Sequence, residues 1–268
     1  MMAFGPGPTA FILVTESYCN AIAEVVRRLE QLPKTLDLSN LLIDENSFDT
    51  VTTAISNSSP SSVESVNLSR CRLSIDNENH LANLIAKASS LKLRATHSMT
   101  GFQALFKEIS SLKILEISAC EFSQHSDLAA ILKKCPNLEN LELAAIKMKP
   151  TTPSPIPSAF ADFRCLTFLD ISHCSSWTSE QDLSEIFENC PNVAKLALND
   201  VKSAVSFDPF WFPKLSEFVA RRSDLEWCSL FAFFTSSQLK KIDLRASTVP
   251  ENVVREFREE SRHAELLS

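Results

Sequence analysis

The segments LKILEISAC at residues 112–120 and LTFLDISHC at residues 166–174 share one spacing of apolar residues. Leucine or isoleucine occupies the first, fourth and sixth positions of each segment, and cysteine occupies the ninth. A charged residue, Glu116 or Asp170, separates the last two apolar positions, which is typical of a short strand with one buried face. A third copy of the pattern consists of Val63, Val66, Leu68 and Cys71.

The pattern returns nine times along the 268 residues, at intervals of 22 to 30 residues. This period resembles that of leucine-rich repeats, whose strands stack into a parallel sheet. The chain is therefore predicted to fold as an α/β leucine-rich-repeat solenoid, a horseshoe with a parallel concave sheet and convex helices. The first apolar positions of the nine units are Pro33, Val63, Ala88, Leu112, Leu138, Leu166, Val193, Leu215 and Leu239.

The second half of several units predicts a helix. Leu128, Ile131 and Leu132 have the spacing of a single apolar helix face. The same spacing occurs within residues 179–189, where Ser179 is a predicted N-cap followed by acidic residues. These helices are expected to cover the buried face of the sheet.

Three regions are predicted along the chain. Residues 1–32 are expected to form an N-terminal helical cap, residues 33–249 about nine repeats, and residues 250–268 a C-terminal helical cap and tail. The third unit departs most from the pattern and is assigned by position as much as by composition. Its apolar positions and turn residue are Ala88, Leu91, Leu93 and Thr96.

The segment KPTTPSPIPS at residues 149–158 contains four prolines where a helix is expected. Proline removes a backbone donor and favours extended structure, so this segment is predicted to be an extended convex loop. Thr152 and Ser154 each precede a proline and fit the preference of proline-directed kinases. The alternative is a plain linker.

The composition favours a soluble binding protein. The net charge of −7 argues against nucleic acid as the partner. No apolar run approaches the roughly 18 residues of a membrane span, so no membrane association is expected. Only three glycines are present, which excludes glycine-rich phosphate-binding loops. We expect no cofactor, no small-molecule substrate and no enzymatic activity.

The eight cysteines favour packing roles over disulfides or metal ligands. Cys71, Cys120 and Cys174 occupy the same turn position of their units, where a small buried thiol fits. The sequence contains no C-x-x-C motif and no pair of histidines at a metal-ligand spacing, so no metal site is expected. Reduced cysteines predict a cytoplasmic or nuclear location.

Residues 135–143, CPNLENLEL, resemble the cysteine-containing leucine-rich repeats that follow the F-box in ubiquitin-ligase receptors. Residues 190–198 are a second copy, and the longer early units are similar to ribonuclease-inhibitor repeats. The resemblance implies a repeat fold that recognises proteins. The chain departs from F-box receptors at residues 10–31, which have room for one cap helix and not for an F-box.

The residues on either side of each central strand leucine are expected to face the concave groove. Glu116, Glu142 and Asp170 occupy equivalent positions of three consecutive units, so they are predicted to form an acidic ladder. Ile114 and Phe168 are expected to lie beside these charges as exposed apolar contacts. The alternatives are a solvated surface without function and a strand register shifted by one residue.

Arginines are concentrated near the end of the predicted groove, at Arg221, Arg222 and Arg245. With the acidic ladder, they predict a non-catalytic protein–protein interaction module, an adaptor or inhibitor that binds an unidentified protein through the groove. Two alternatives are a regulator of an enzyme, similar to repeat-type GTPase-activating proteins, and a substrate receptor of a ubiquitin ligase.

Overall fold

The computed structural model shows a parallel sheet backed by helices. It describes residues 12–13, 20–21, 23–24, 27–28, 34–39, 41–42, 50–51, 53–55, 63–71, 78–96, 106, 109–149, 154–174, 179–202, 207–208, 210–226, 230, 239–260 and 265–267. Most of the predicted N-terminal cap and Thr152 lie outside these residues.

Ten strands form one parallel sheet, and they are ordered in space as they are along the chain. Nine were expected from the repeats. The additional strand, Glu265–Leu267, lies within the predicted C-terminal cap and tail and pairs with Lys241–Asp243. A separate two-stranded sheet joins β1, Ile12–Leu13, to β3, Leu41–Leu42. The strands of the large sheet are β2 Thr35–Asp37, β4 Ser65–Asn67, β5 Ser90–Lys92, β6 Ile114–Glu116, β7 Asn140–Glu142, β8 Phe168–Asp170, β9 Lys195–Ala197, β10 Glu217–Val219, β11 Lys241–Asp243 and β12 Glu265–Leu267.

The helices lie in the connections between strands, as the apolar spacing predicts. The helix Glu180–Glu188 begins after Ser179. The Ser179 hydroxyl accepts a hydrogen bond from the Asp182 amide, and the Asp182 carboxylate accepts one from the Ser179 amide. None of the helices in the described part of the chain is long and apolar enough to cross a membrane. The helices are α1 Glu78–Lys87, α2 His125–Lys133, α3 Glu180–Glu188 and α4 Glu251–Glu260, with a 3₁₀ helix at Pro157–Phe160.

One continuous hydrophobic core runs beneath the sheet. Leu141 and Leu143 are fully buried, so the predicted strand register is confirmed. The third unit is confirmed as well, because Leu91 and Leu93 are fully buried and β5 pairs with both of its neighbours. The sheet therefore turns its helix-covered face to the core and leaves the opposite face, called the open face here, to solvent.

The chain leaves each strand through a turn of one conformation. The eighth residue of eight consecutive units has a positive φ, between 52° and 62°. This left-handed conformation costs free energy in any residue other than glycine, so its recurrence shows that the stacking of units enforces it. The residues are Arg70, Ala95, Ala119, Ala145, His173, Asp200, Arg222 and Ala246.

The ninth residue of a unit can donate a hydrogen bond to the unit before it. The Cys71 thiol donates to the Leu38 carbonyl at 3.0 Å, and the Cys120 thiol donates to the Leu93 carbonyl at 2.6 Å. Burial raises the pKa of Cys120 to about 11, so the thiol keeps the proton that it donates. The hydroxyl groups of Thr96, Ser223 and Ser247 donate to the carbonyls of Leu68, Leu198 and Ala220.

The predicted burial of Cys71, Cys120 and Cys174 is confirmed. No disulfide joins any of the six cysteines in the described residues, although Cys165 is exposed. The described His, Cys, Asp and Glu residues also form no group of three that could hold a metal ion. These thiols therefore act as small packing groups and as hydrogen-bond donors in the turns.

The proline-rich segment is not an extended loop throughout, so this prediction is wrong for the residues from Ser154 onward. The 3₁₀ helix at Pro157–Phe160 takes the place of the missing α-helix, because Ile156, Pro157 and Phe160 are buried. It packs against both α2 and α3. The strong local preference of proline for extended structure is overridden by burial of apolar side chains on the core.

Ser154 connects this segment to α2. The buried His125 lies with Nε2 2.9 Å from the Lys149 carbonyl and Nδ1 3.0 Å from the Ser154 hydroxyl. Since a carbonyl only accepts, Nε2 carries the proton of the neutral ring and Nδ1 accepts from Ser154. The Ser154 oxygen also accepts a hydrogen bond from the Ile156 amide at 3.3 Å. The hydroxyl therefore contacts both His125 and the start of the 3₁₀ helix.

Ser154→Ala should lower the free energy of unfolding by about 1–2 kcal/mol, because Nδ1 of a buried imidazole loses its donor. Urea unfolding measures the change. Ser158→Ala is the matched control: that hydroxyl is exposed and donates to the Pro155 carbonyl, so a loss below about 0.5 kcal/mol is expected. Equal losses in the two variants would show that the contact between Ser154 and His125 does not stabilise the fold.

Candidate functional site

The strand register places the predicted groove residues on the open face in rows. Glu116 is aligned with Glu142 and Glu142 with Asp170, so the three acids lie on adjacent strands as predicted. Ile114 and Phe168 lie in the parallel row of first strand residues, with Asn140 between them. Adjacent strands are about 4.8 Å apart, so the three acids, called the acidic cluster here, span about 10 Å.

The members of the acidic cluster differ in exposure, which the sequence did not predict. Glu116 is only 7% exposed, whereas Glu142 and Asp170 are half-buried. Ile114 and Phe168 are also half-buried rather than fully exposed. Glu116 lies at its predicted place on the groove face but is covered, because cationic side chains from β5 and the turn after it lie against it.

Two cations of the third unit compensate part of the acidic cluster. Lys92 Nζ lies 2.6 Å from Glu116 Oε1. Arg94 lies with Nε 3.7 Å from Glu116 Oε2 and with a terminal nitrogen 3.1 Å from Glu142 Oε2. The cluster is therefore a mixed-charge network at β5–β7, and the potential expected from three isolated acids is reduced.

Glu142 remains electrostatically unfavourable despite this contact. Burial raises the pKa of Glu142, and the charge of Glu116 raises it further, while Arg94 lowers it and Asp170 adds to the increase. The charge of Lys92 also lowers it, and this is the smallest of the effects. The centre of the open face thus holds more negative charge than its own cations neutralise.

Asp170 forms no ion pair with any residue that the structure describes. Its Oδ1 accepts from the Ser172 amide at 2.9 Å, which fixes the carboxylate without neutralising it. Beside it, Lys195 Nζ lies 5.3 Å from the centroid of the Phe168 ring and 3.4 Å from Glu217. Asp170 is therefore the member of the cluster whose charge is most available to a partner.

The C-terminal arginines are compensated as well, which the sequence analysis missed. Arg221 and Arg245 both donate to Asp243, which is 1% exposed, at distances of 2.6–2.9 Å. The Arg245 guanidinium holds the pKa of Asp243 well below its usual range, and Arg221 adds to this effect. Arg222 donates to Asp200, which it likewise holds at a lowered pKa. A uniformly basic region is therefore absent from this end of the described open face.

The spacing of arginines and acids along the chain could have predicted these ion pairs. An arginine at the seventh position of a unit pairs with an acid at the fifth position of the next, as Arg94 does with Glu116 and Arg221 with Asp243. The seventh position before Asp170 is occupied by Ala144, so Asp170 has no such partner. Between the two arginine–acid pairs, the row of fifth positions continues from Asp170 with Ala197, which is buried, and Val219, which is half-buried.

Comparison with solved structures identifies the fold. Internalin inlF of Listeria monocytogenes has a TM-score of 0.57 at 14% identity, and the match covers 100% of this chain and 92% of inlF. The chain folds as a leucine-rich-repeat solenoid. Internalin C2 of the same bacterium gives 0.51 at 18% identity, covering 86% of this chain and 84% of internalin C2.

TLR13 in the TLR13–ssRNA13 complex is also similar, with a TM-score of 0.51 at 14% identity. The match covers 91% of this chain and 34% of TLR13. At these identities the likenesses concern the fold alone. No protein-family model matches the sequence, and no curated protein does. The resemblance to the repeats of F-box receptors therefore stays a prediction.

Asp243→Asn should lower the free energy of unfolding by about 1.5–3 kcal/mol at pH 7, because Arg221 and Arg245 lose a charged, buried acceptor. The Asp243 pKa is depressed, so this stabilisation is present above the ordinary value of 3.8 and is lost as pH falls below it. Chemical unfolding of both proteins from pH 7 to pH 2.5 measures the effect. Asp224→Asn, at an exposed residue, is the control. If the stability difference between the wild type and Asp243→Asn stays the same at pH 2.5, the ionised Asp243 carboxylate is not its cause.

Glu142→Gln should unfold at a higher denaturant concentration than the wild type at pH 7. The Glu142 pKa is raised, so the wild type loses stability as pH rises above the ordinary value of 4.5, and the loss is complete above the folded-state pKa. Below the ordinary value of 4.5 both forms are uncharged, and the difference should disappear. A variant less stable than the wild type at pH 7 would mean that the contact with Arg94 outweighs burial.

Proposed function

We propose that this chain is a non-catalytic protein–protein interaction module, an adaptor or inhibitor, that binds a segment of a partner protein across strands β7 to β10. The observation that carries the proposal is Asp170, a fixed carboxylate without an ion pair among the described residues, beside the half-buried Phe168. A charge next to an aromatic ring is a frequent combination in binding hot spots.

The position of Asp170 between two compensated regions supports a defined binding area. On one side Lys92 and Arg94 contact Glu116, and on the other Arg221 and Arg245 contact Asp243. Bound ion pairs resist desolvation, whereas small and apolar side chains do not. The partner is therefore expected to place a cationic residue at Asp170 and apolar residues over the half-buried Phe168 and Val219.

Protein is favoured over nucleic acid as the partner. The net charge is −7, and two members of the acidic cluster, Glu142 and Asp170, lie within the proposed binding area. Phosphate groups would be repelled there, while a basic protein segment would be attracted during diffusional encounter. The buried, reduced thiols fit a cytoplasmic or nuclear location.

Asp170→Lys should abolish partner binding and lower the free energy of unfolding by only about 1 kcal/mol, because it removes the hydrogen bond to the Ser172 amide but no ion pair of the described fold. Reversal of Glu116 would be a poor test, since that carboxylate is buried and paired. The measurement is quantitative affinity capture followed by mass spectrometry, and then titration of each purified candidate. Phe168→Ala should cost about 2 kcal/mol or more in binding if it is a hot spot.

Asp162→Lys is the matched control, because Asp162 is exposed and precedes β8 rather than lying on the open face. A true partner binds the wild type and this control alike, loses affinity for Asp170→Lys, and binds more weakly as salt increases. Candidates that all bind Asp170→Lys with unchanged affinity would contradict the proposed site.

A further inference from the structure

Arg94 crosses a whole strand to reach its acidic partner. It follows β5, yet its terminal nitrogen lies 3.1 Å from Glu142 on β7, so its side chain passes over β6. On the way, its Nε lies 3.7 Å from Glu116 Oε2, which is too long for a hydrogen bond. The Arg94 side chain is 56% exposed, so few packing contacts hold it in this position.

Two buried acceptors on β6 and the turn after it have no hydrogen-bond partner among the described residues. They are Glu116 Oε2 and Ser118 Oγ, and both residues are only 7% exposed. The equivalent serines of two other units are satisfied: Ser69 Oγ accepts from the Arg94 amide and Ser172 Oγ accepts from the Asn199 amide. Because a buried polar group without a partner costs free energy, this part of the open face favours an additional donor.

The charges of the same region do not balance. The three acids of the acidic cluster face two cations, Lys92 and Arg94, which leaves one negative charge uncompensated. Burial raises the pKa of Glu142 in spite of Arg94, which agrees with this excess. The surface thus combines unsatisfied acceptors with a net negative charge, and a cationic donor complements both.

We propose that Arg94 is an intramolecular competitor for the binding site: a lysine or arginine of the partner replaces its guanidinium at Glu142 and donates to the acceptors on β6. This proposal rests on the proposed function and adds a limit on affinity that the chain itself imposes. Arg94 moves into solvent when the partner binds, and the loss of one exposed ion pair is small. Binding therefore exchanges one cation for another at the acidic cluster.

The test uses a fluorescein-labelled hexa-arginine peptide and fluorescence anisotropy at low ionic strength. Arg94→Gln should raise the affinity about two- to fivefold, the equilibrium equivalent of one exposed ion pair. Arg70→Gln is the matched control, because Arg70 is exposed, lies one unit away and forms no ion pair in the described residues. If Arg70→Gln raises the peptide affinity equally, the effect comes from net charge, and the proposal that Arg94 competes for the site is wrong.

Asp170→Asn, with Asp162→Asn as its control, separates this inference from the proposed function. If Asp170→Asn weakens peptide binding while Arg94→Gln leaves it unchanged, the groove binds cations but Arg94 does not compete. If neither variant changes the affinity, or if no protein binds the peptide, the proposed site fails together with the competitor. Should Arg94→Gln not fold, Arg94→Lys takes its place, because lysine keeps the charge near Glu116 and lacks the reach and forked donors of arginine.

Discussion

The hydrogen bond from the ninth residue of a unit to the carbonyl of the preceding unit holds this solenoid in register. It is made by thiols at Cys71 and Cys120 and by hydroxyls at Thr96, Ser223 and Ser247. Each strand is three residues long and has no stability of its own, so the stack depends on contacts between neighbouring units. A small buried donor serves because it adds a hydrogen bond between the turn of one unit and the end of the strand in the preceding unit.

Fixed register has a direct consequence for the open face. Equivalent positions of successive units lie about 4.8 Å apart, so like charges at one position are forced together. Arg94, at the seventh position of its unit, offsets part of this repulsion at Glu116 and Glu142. Where that position holds Ala144, the next acid, Asp170, is left without an ion pair in the described residues, and the binding area is proposed there.

The sequence was sufficient for the fold because its information is periodic. Apolar spacing predicted the strands, and the burial of Leu91 confirmed even the weakest unit. The repeat spacing does not indicate how far a long side chain extends, so the contact of Arg94 with Glu142 across β6 was not predicted. The proline-rich segment was misjudged for a related reason: local preference favoured an extended chain, but burial of Ile156 and Phe160 decided the 3₁₀ helix.

Two of the later units, like the first unit at Leu41, have an apolar ninth residue. Ile146 and Val201 are buried and donate no side-chain hydrogen bond. In both units the following residue forms an isolated parallel bridge with the adjacent unit, Lys147 with Glu121 and Lys202 with Asp224. The bridge at Lys147 joins its unit to the preceding one, whereas the bridge at Lys202 joins its unit to the following one. Backbone pairing beyond the strand therefore accompanies the missing donor at Ile146 but not at Val201. There the contact with the preceding unit rests on the pairing of β9 with β8 and on the hydrogen bond from the His173 amide to the Asn199 carbonyl.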